Sequence, residues 1–372
     1  MSKEKKKVLA VIGTRPEVIK MASVINLLKK EPDIDLKVVS TAQHRQMSDQ
    51  MLDIFQIKPD IDLNLMTHNQ TLTDLSARLP HPLDEVLKKE KPDFVLAQGD
   101  TTTVFHVSLA CFYQKIPFGH VEAGLRSGDA FDPFPEEANR RMTRCITTLH
   151  FAPTKENKRN LIKEGADPKT IIVTGNTVID AMMHILREDI SLPFNCDPSK
   201  KLILVTAHRR ENWGEKMRSV FTSIRNIVRR FPDVEVLYPV HLNPNVCVHA
   251  QEILQGEERV QLVEPLSYPQ FIKVMERSHL ILSDSGGVQE EAPFFGIPTL
   301  VLRDTTELPE GIEAGATCLI GTNAAEIEDA VAELLTNGEH YKMMQTSLHL
   351  YGRGKAGEKI VKEVKRFLAQ SA

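Results

Sequence analysis

Short apolar, β-branched runs recur along the chain, each followed by residues with a helical period. In the first half these runs are Val8–Ile12, Leu36–Ser40, Phe94–Gln98, Phe118–Glu122 and Ile171–Thr174. The second half repeats the plan with Leu202–Thr206, Val234–Tyr238, Val260–Val263, Leu280–Leu282 and Thr299–Leu302. Continuous apolar strands alternating with helices predict parallel sheets covered on both faces, the α/β class. Ten such strands are too many for one doubly wound sheet of average size, so two Rossmann-like domains with parallel sheets are expected. We expect the domains at residues 1–174 and 175–356, with a seam in Thr174–Lys200 and a linker at Glu188–Lys200, which holds two prolines and no clear period. Gly357–Leu368 reads as an amphipathic helix through Ile360, Val361, Val364, Phe367 and Leu368.

Charge narrows the partners. Lys+Arg number 46 and Asp+Glu 50 in 372 residues, a formal net charge of −4. That balance leaves no electrostatic footprint for nucleic acid or an anionic membrane, so a phosphate-bearing ligand must meet local basic residues. No run approaches the ~20 apolar residues that span a bilayer. The basic start Ser2–Lys7 leads into only Val8 to Gly13, too short for a signal-peptide core. Five scattered cysteines, Cys111, Cys145, Cys196, Cys247 and Cys318, form no C-x-x-C pair and read as reduced thiols. A cytosolic protein is expected.

Ligands of open α/β sheets bind outside the carboxyl ends of the strands, so chemistry is expected on the residues that end each run. The first run leads into Gly13-Thr14-Arg15-Pro16-Glu17, with Lys20 one turn on. A tight turn, a proline-started helix and two cations suit an anion; a plainly capped helix with solvated cations fits too. Asp100 follows Gly99 after the third run, either as a helix cap or as a functional carboxylate. Glu122 ends the fourth run, and Pro135-Glu136-Glu137 opens a helix, where the dipole favours acids anyway. Converging carboxyls push one another's proton affinities apart, which acid–base chemistry requires.

In the second half, His208-Arg209-Arg210 ends one run, and Asp284-Ser285-Gly286-Gly287 another, with Glu291 a turn later. His and Arg suit a negatively charged group, and Ser-Gly-Gly lets backbone N–H groups approach a phosphate. Facing Arg15 across a domain cleft, that loop would complete a phosphate site. A Gly352-x-Gly354-x-x-Gly357 string follows no convincing strand and is discarded as a nicotinamide signal. Metal ligation finds no support: His241 and His249 lack a ligand spacing, and the twin Pro-Asp-Ile-Asp-Leu segments at Pro32–Leu36 and Pro59–Leu63 read as surface turns.

GTRPEVIKMA, TAQHRQM, GDTTT, HVEAGLR, PFPEEANR, HFAPT, TGNTVID, HRREN, DSGGVQEEAP and RDTTELPEGIEAG occur in this order. Together they closely resemble the non-hydrolysing UDP-N-acetylglucosamine 2-epimerases of bacteria, over nearly the whole chain. The resemblance implies a GT-B-like architecture with a ligand cleft between two Rossmann-like domains, the C-terminal helix (residues 357–372) returning to the first. It implies interconversion of UDP-GlcNAc and UDP-ManNAc for surface polysaccharides, through elimination of UDP to 2-acetamidoglucal and re-addition, with no cofactor. By similarity Arg15, Lys20, His208, Ser285, Gly286, Gly287 and Glu291 hold UDP, with Phe271 beside the uracil, and His208 stabilises the leaving diphosphate. Asp100, Glu122 and Glu136 form the acid–base group. A second, activating UDP-GlcNAc is assigned to Gln43, Gln46, Glu136, Arg209 and His241, and a homodimer is the family habit.

Two departures stand out. Asn69 replaces an arginine of relatives in the activating site, and Leu308 replaces an arginine near the uridine in some members. Pro80-His81-Pro82 falls where the family pattern runs as helix and predicts a break. Competing readings are a glycosyltransferase of the same fold, an epimerase of a related UDP-sugar such as a diacetamido-uronic acid, and a silent UDP-sugar sensor.

Overall fold

In the computed structural model, which describes residues 5–42, 45–67, 70–306, 308–345 and 349–370, the apolar runs pair as two separate parallel sheets. The first comprises β1 (Lys6–Ile12), β2 (Ile34–Ser40), β3 (Ile61–Asp62), β4 (Phe94–Gln98), β5 (Phe118–Val121), β6 (Leu149–Ala152) and β7 (Ile171–Val173). Its order is β3-β2-β1-β4-β5-β6-β7, with Val8 of β1 level with Leu36 on one side and Phe94 on the other. The second comprises β8 (Lys201–Thr206), β9 (Val234–Pro239), β10 (Val260–Val263), β11 (Leu280–Ser283), β12 (Thr299–Val301) and β13 (Thr317–Leu319), in the order β10-β9-β8-β11-β12-β13.

Burial on both faces explains the unbroken apolar runs. Val8 to Ile12 are at most 3% exposed. In the second sheet, alternate residues of one strand serve different cores. Ile203 and Val205 cluster with Phe221, Ile224 and Tyr238, whereas Leu202 and Leu204 cluster with Val274, Met275 and Val288. Each fully buried aliphatic side chain contributes roughly 1.5–3 kcal/mol of transfer free energy.

Three strands went unpredicted. β3 and β13 are only two and three residues long. β6 carries His150 in its centre, paired in register with His120 of β5. Both imidazoles are at most 2% exposed, and burial lowers His120 to about 4 and His150 to about 3. They are neutral interior groups. The twin Pro-Asp-Ile-Asp-Leu segments, expected as surface turns, run into β2 and β3, where Asp60 accepts the Val38 N–H at 2.8 Å.

The chain divides into Met1–Met183 with Tyr351–Ala372, and His184–Leu350. The expected boundary at 174/175 is therefore displaced to 183/184. The physical reason is the helix Thr177–Ile185, whose Asp180 caps the Ala356–Gln370 helix by accepting from the N–H groups of Ala356 (3.1 Å) and Gly357 (2.8 Å). The expected linker Glu188–Lys200 is part of the second unit, where Leu192, Phe194 and Cys196 pack on the Leu204–Met275 cluster. The Ala356–Gln370 helix belongs to the first unit: Phe367 sits edge-on to Phe94 at 5.3 Å, and Lys365 pairs with Glu31 and Asp33. Gly357 is needed there for close packing, since a Cβ would fall 2.7 Å from Ser23 Oγ. A break does occur at Leu79, after which Pro80 opens the helix Pro80–Glu90.

Each sheet reverses its winding beside its first strand: β1 lies between β2 and β4, and β8 between β9 and β11. Loops leaving the carboxyl ends of such neighbours turn to opposite faces and open a crevice, the usual ligand position of this architecture.

Candidate active site

At the first switch point, β1 ends in Gly13, where a Cβ would lie 2.2 Å from Thr41 Oγ1, so only glycine fits without displacement. Thr14 is the extended N-cap of the helix Arg15–Leu28. Glu17 folds back over this turn, accepting the N–H groups of Gly13 (2.5 Å) and Thr14 (3.2 Å) and the hydroxyl of Thr101 (2.7 Å). It is 2% exposed, and burial raises it to about 7 against the pull of those hydrogen bonds. Glu17 thus ties the Arg15 loop to the Asp100 loop.

The helix Thr102–Tyr113 is capped by Thr101, whose hydroxyl accepts the Val104 N–H at 3.3 Å. Asp100 is relieved of the capping role open to it in the sequence. Its Oδ2 accepts from Arg140 Nη1 at 2.8 Å, and its carbonyl from Asn139 Nδ2 at 2.9 Å. Arg140 is itself oriented by Glu137, a fully buried carboxylate 3.1 Å from Nε that also takes Arg141 at 2.9 Å. Glu137 is the structural member of the Glu136-Glu137 pair. Glu136, half-buried, opens the same helix Glu136–Cys145 and shares the face of Asn139 and Arg140 by the three- and four-residue spacing.

Glu122 follows β5 at φ 67°, a left-handed conformation that costs a non-glycine residue about 1–3 kcal/mol and clusters at functional sites. Lys20 Nζ lies 2.8 Å from its Oε1 and 2.7 Å from its Oε2, and Gln98 Nε2 donates to Oε2 at 2.8 Å. Lys20, expected as a ligand cation, is therefore joined to Glu122 across 102 positions of sequence. Arg15 is half-buried at the first helical position. Of the remaining first-unit residues, Gln43, Asn69 and the side chain of Gln46 lie outside the described residues.

At the second switch point, β8 leads into Ala207 and His208, and β11 into Asp284. Asp284 is fully buried; its Oδ2 accepts the N–H groups of His208 and Arg209, both at 2.9 Å, and Asn212 Nδ2 at 3.1 Å. His208 stacks on His241 with ring centroids 5.4 Å apart and planes 11° from parallel. Burial lowers its proton affinity, Asp284 raises it, and His241 and Arg209 lower it further. Arg209 also lies 3.7 Å from Glu211.

Ser285 precedes the short helix Gly286–Glu291, its N–H donating to Ser283 Oγ at 3.0 Å. A Cβ on Gly287 would meet only Ser285 Oγ, at 3.9 Å, so packing within the chain does not account for the glycine. Glu291 is buried and accepts the Tyr268 hydroxyl at 2.8 Å. Phe271 packs on the Leu204 cluster, and Leu308 is buried before the helix Pro309–Glu313. Glu17, Gln98, Arg140 and Asp284 were given no role from sequence. Glu17 left a local signal in the Thr-x-x-Glu capping pattern from Thr14, and Gln98 and Asp284 in their places at the ends of apolar runs; Arg140 left none.

Two doubly wound parallel halves with polar groups at both switch points define an α/β enzyme of GT-B-like architecture. The family model described as UDP-N-acetylglucosamine 2-epimerase matches residues 26–365. The UDP-N-acetylglucosamine 2-epimerase of Bacillus subtilis is 53% identical over 362 residues, covering 97% of this chain and 95% of that one. That of Escherichia coli is 46% identical over 370 residues, covering 96% and 98%. The crystal structure of the Neisseria meningitidis UDP-GlcNAc 2-epimerase bound to UDP-GlcNAc superposes with a TM-score of 0.91 at 47% identity, covering 97% of this chain and all of that one. The chain belongs to the UDP-N-acetylglucosamine 2-epimerase family, and is thereby an isomerase.

Proposed function

We propose that this enzyme interconverts UDP-GlcNAc and UDP-ManNAc without hydrolysing them, and that it supplies ManNAc units for surface polysaccharides. C2 of the sugar is not adjacent to a carbonyl, so its proton is too weakly acidic for simple removal and return. Elimination solves this. A carboxylate takes the C2 proton, the C1–O bond breaks with its electron pair leaving on UDP, and C1=C2 forms in 2-acetamidoglucal. Re-addition delivers a proton to the opposite face of C2 while the β-phosphate oxygen returns to C1.

Asp100, Glu122 and Glu136 are the acid–base group, at the carboxyl edge of the first sheet. The observation that carries the reading is the set of cationic and amide partners that hold two of these carboxylates: Arg140 on Asp100, Lys20 and Gln98 on Glu122. Arg15, Lys20, His208, Ser285, Gly286, Gly287 and Glu291 bind UDP, with Phe271 beside the uracil; His208 stabilises the diphosphate as it departs. The test uses UDP-GlcNAc alone in deuterated water, followed by NMR. Deuterium enters C2 of both sugars if the reading holds; a glycosyltransferase, which needs an acceptor, or a silent sensor leaves C2 unexchanged.

The same reading gives Gln43, Gln46, Glu136, Arg209 and His241 to a second, activating UDP-GlcNAc. With Asn69 in place of arginine, activation is weak. Asn69→Arg should strengthen the response of the reverse reaction to UDP-GlcNAc, and an unchanged response counts against it. Exposed Phe112 (57%) and Tyr113 (70%) at the end of one helix support a homodimer. The five free cysteines support action in the reducing cytoplasm. Among the described residues, no helix is long and apolar enough to cross a membrane.

A further inference from the structure

We propose that Asp284 is a positioning residue for His208, holding the imidazole by its Nδ1–H so that Nε2 is the nitrogen presented to the diphosphate. The inference rests on the reading of His208 given above. Asp284 is fully buried, and its two oxygens are used unequally. Oδ2 is saturated by three donors, the N–H groups of His208 and Arg209 and the Asn212 amide. Oδ1 has no hydrogen-bond partner among the described residues, yet it lies 3.5 Å from His208 Nδ1.

A loop staple needs Oδ2 alone. A buried carboxylate oxygen left without a donor is costly, and such atoms in native structures call for an explanation. The imidazole supplies one: a short rotation about the His208 side chain brings Nδ1–H into hydrogen-bond range, as ligand-free sites commonly tighten on binding. The backbone end of His208 is already fixed, since Trp213 Nε1 donates to its carbonyl at 3.3 Å. Ring orientation is the remaining freedom, with His241 stacked on one face.

A carboxylate behind the ring also selects the tautomer and favours the imidazolium that forms if His208 meets a developing negative charge. The groups facing His208 are Asp284 and Glu211, which raise its proton affinity, and His241 and Arg209, which lower it, as does burial. Removing Asp284 leaves chiefly the lowering influences.

The experiment is ¹⁵N NMR of histidine-labelled protein, with His208→Asn to assign the resonance. In the wild type at neutral pH, His208 should carry its proton on Nδ1; a proton on Nε2 overturns the proposal without any variant being needed. In Asp284→Asn, which keeps an oxygen for the backbone donors, the His208 titration should move down by about 1 pH unit. kcat should fall about 10- to 100-fold with little change in KM, the scale of losing the partner that orients a working histidine. An unmoved titration and tautomer in folded Asp284→Asn would reduce Asp284 to a loop staple. If instead His208→Asn leaves kcat unaltered, the role of His208 fails while the measured Asp284 link stands.

Discussion

The two switch points share a strand order and invert their charge. In the first unit the groups at the strand ends are carboxylates, Asp100 and Glu122, and the cations lie behind them: Arg140 is 3% exposed, and Lys20 is largely covered. In the second unit the presented groups are an imidazole and a glycine-opened helix, and the buried group behind them is the carboxylate of Asp284. One architecture thus carries two opposite arrangements of charge: carboxylates held by covered cations at one edge, and an imidazole backed by a buried carboxylate at the other.

The comparison breaks most visibly at Asp100. Asp100→Asn keeps size and hydrogen-bonding shape but removes the exchangeable carboxyl. Its kcat should fall by on the order of 10²–10⁴ with the thermal melt preserved. A loss below about threefold in folded protein would take Asp100 out of the chemistry.

Arg140 separates support from chemistry. Arg140→Met strips Glu137, fully buried, of a partner while leaving Asp100 in place. Arg141 still lies 2.9 Å from Glu137, so the loss should be smaller than that of a fully stranded buried charge, about 3–5 kcal/mol. Denaturant melts should show that loss, whereas the corresponding change at exposed Arg159, paired with Glu156 on a helix surface, should cost under about 1 kcal/mol. Equal losses would mean that the burial of the Arg140–Glu137 pair carries no energetic weight.

A third contrast lies in the histidines. His120 and His150 are interior and held near 4 and 3, against His208 at a loop. Above their ordinary value of about 6.5 the folded and unfolded chains are both neutral at these rings, and the full stability is present. As pH falls below that value the unfolded chain binds protons that the folded chain refuses, so stability is lost from about 6.5 down toward 3. His150→Leu should flatten the pH dependence of unfolding free energy across that window; an unchanged slope would show that His150 titrates normally when buried.

How much of this was legible in the sequence follows from contact range. β1, β4, β5, β8 and β11 announce themselves because long buried strands need unbroken apolar runs, and their polar ends mark the crevice. β6 was hidden because His150 interrupts its run, and β3 and β13 are too short to show a period. Asp100, Glu122 and His208 stand out as polar residues ending apolar runs. What pairs with them is not legible locally: Gln98 and Lys20 reach Glu122 over 24 and 102 positions, Arg140 reaches Asp100 over 40, and Asp284 reaches the His208 loop over 76. Local pattern names the candidate groups, while tertiary packing selects the groups that hold them.

The central claim is that the anomeric C–O bond opens before C2 inverts, with UDP retained. UDP-GlcNAc carrying ¹⁸O in the sugar–phosphate bridge tests it directly, because freed UDP rotates its β-phosphate before re-adding. Scrambling of the label into the non-bridging positions, in step with epimerisation, is the predicted result. Epimerised product with all its ¹⁸O still in the bridge would contradict the account.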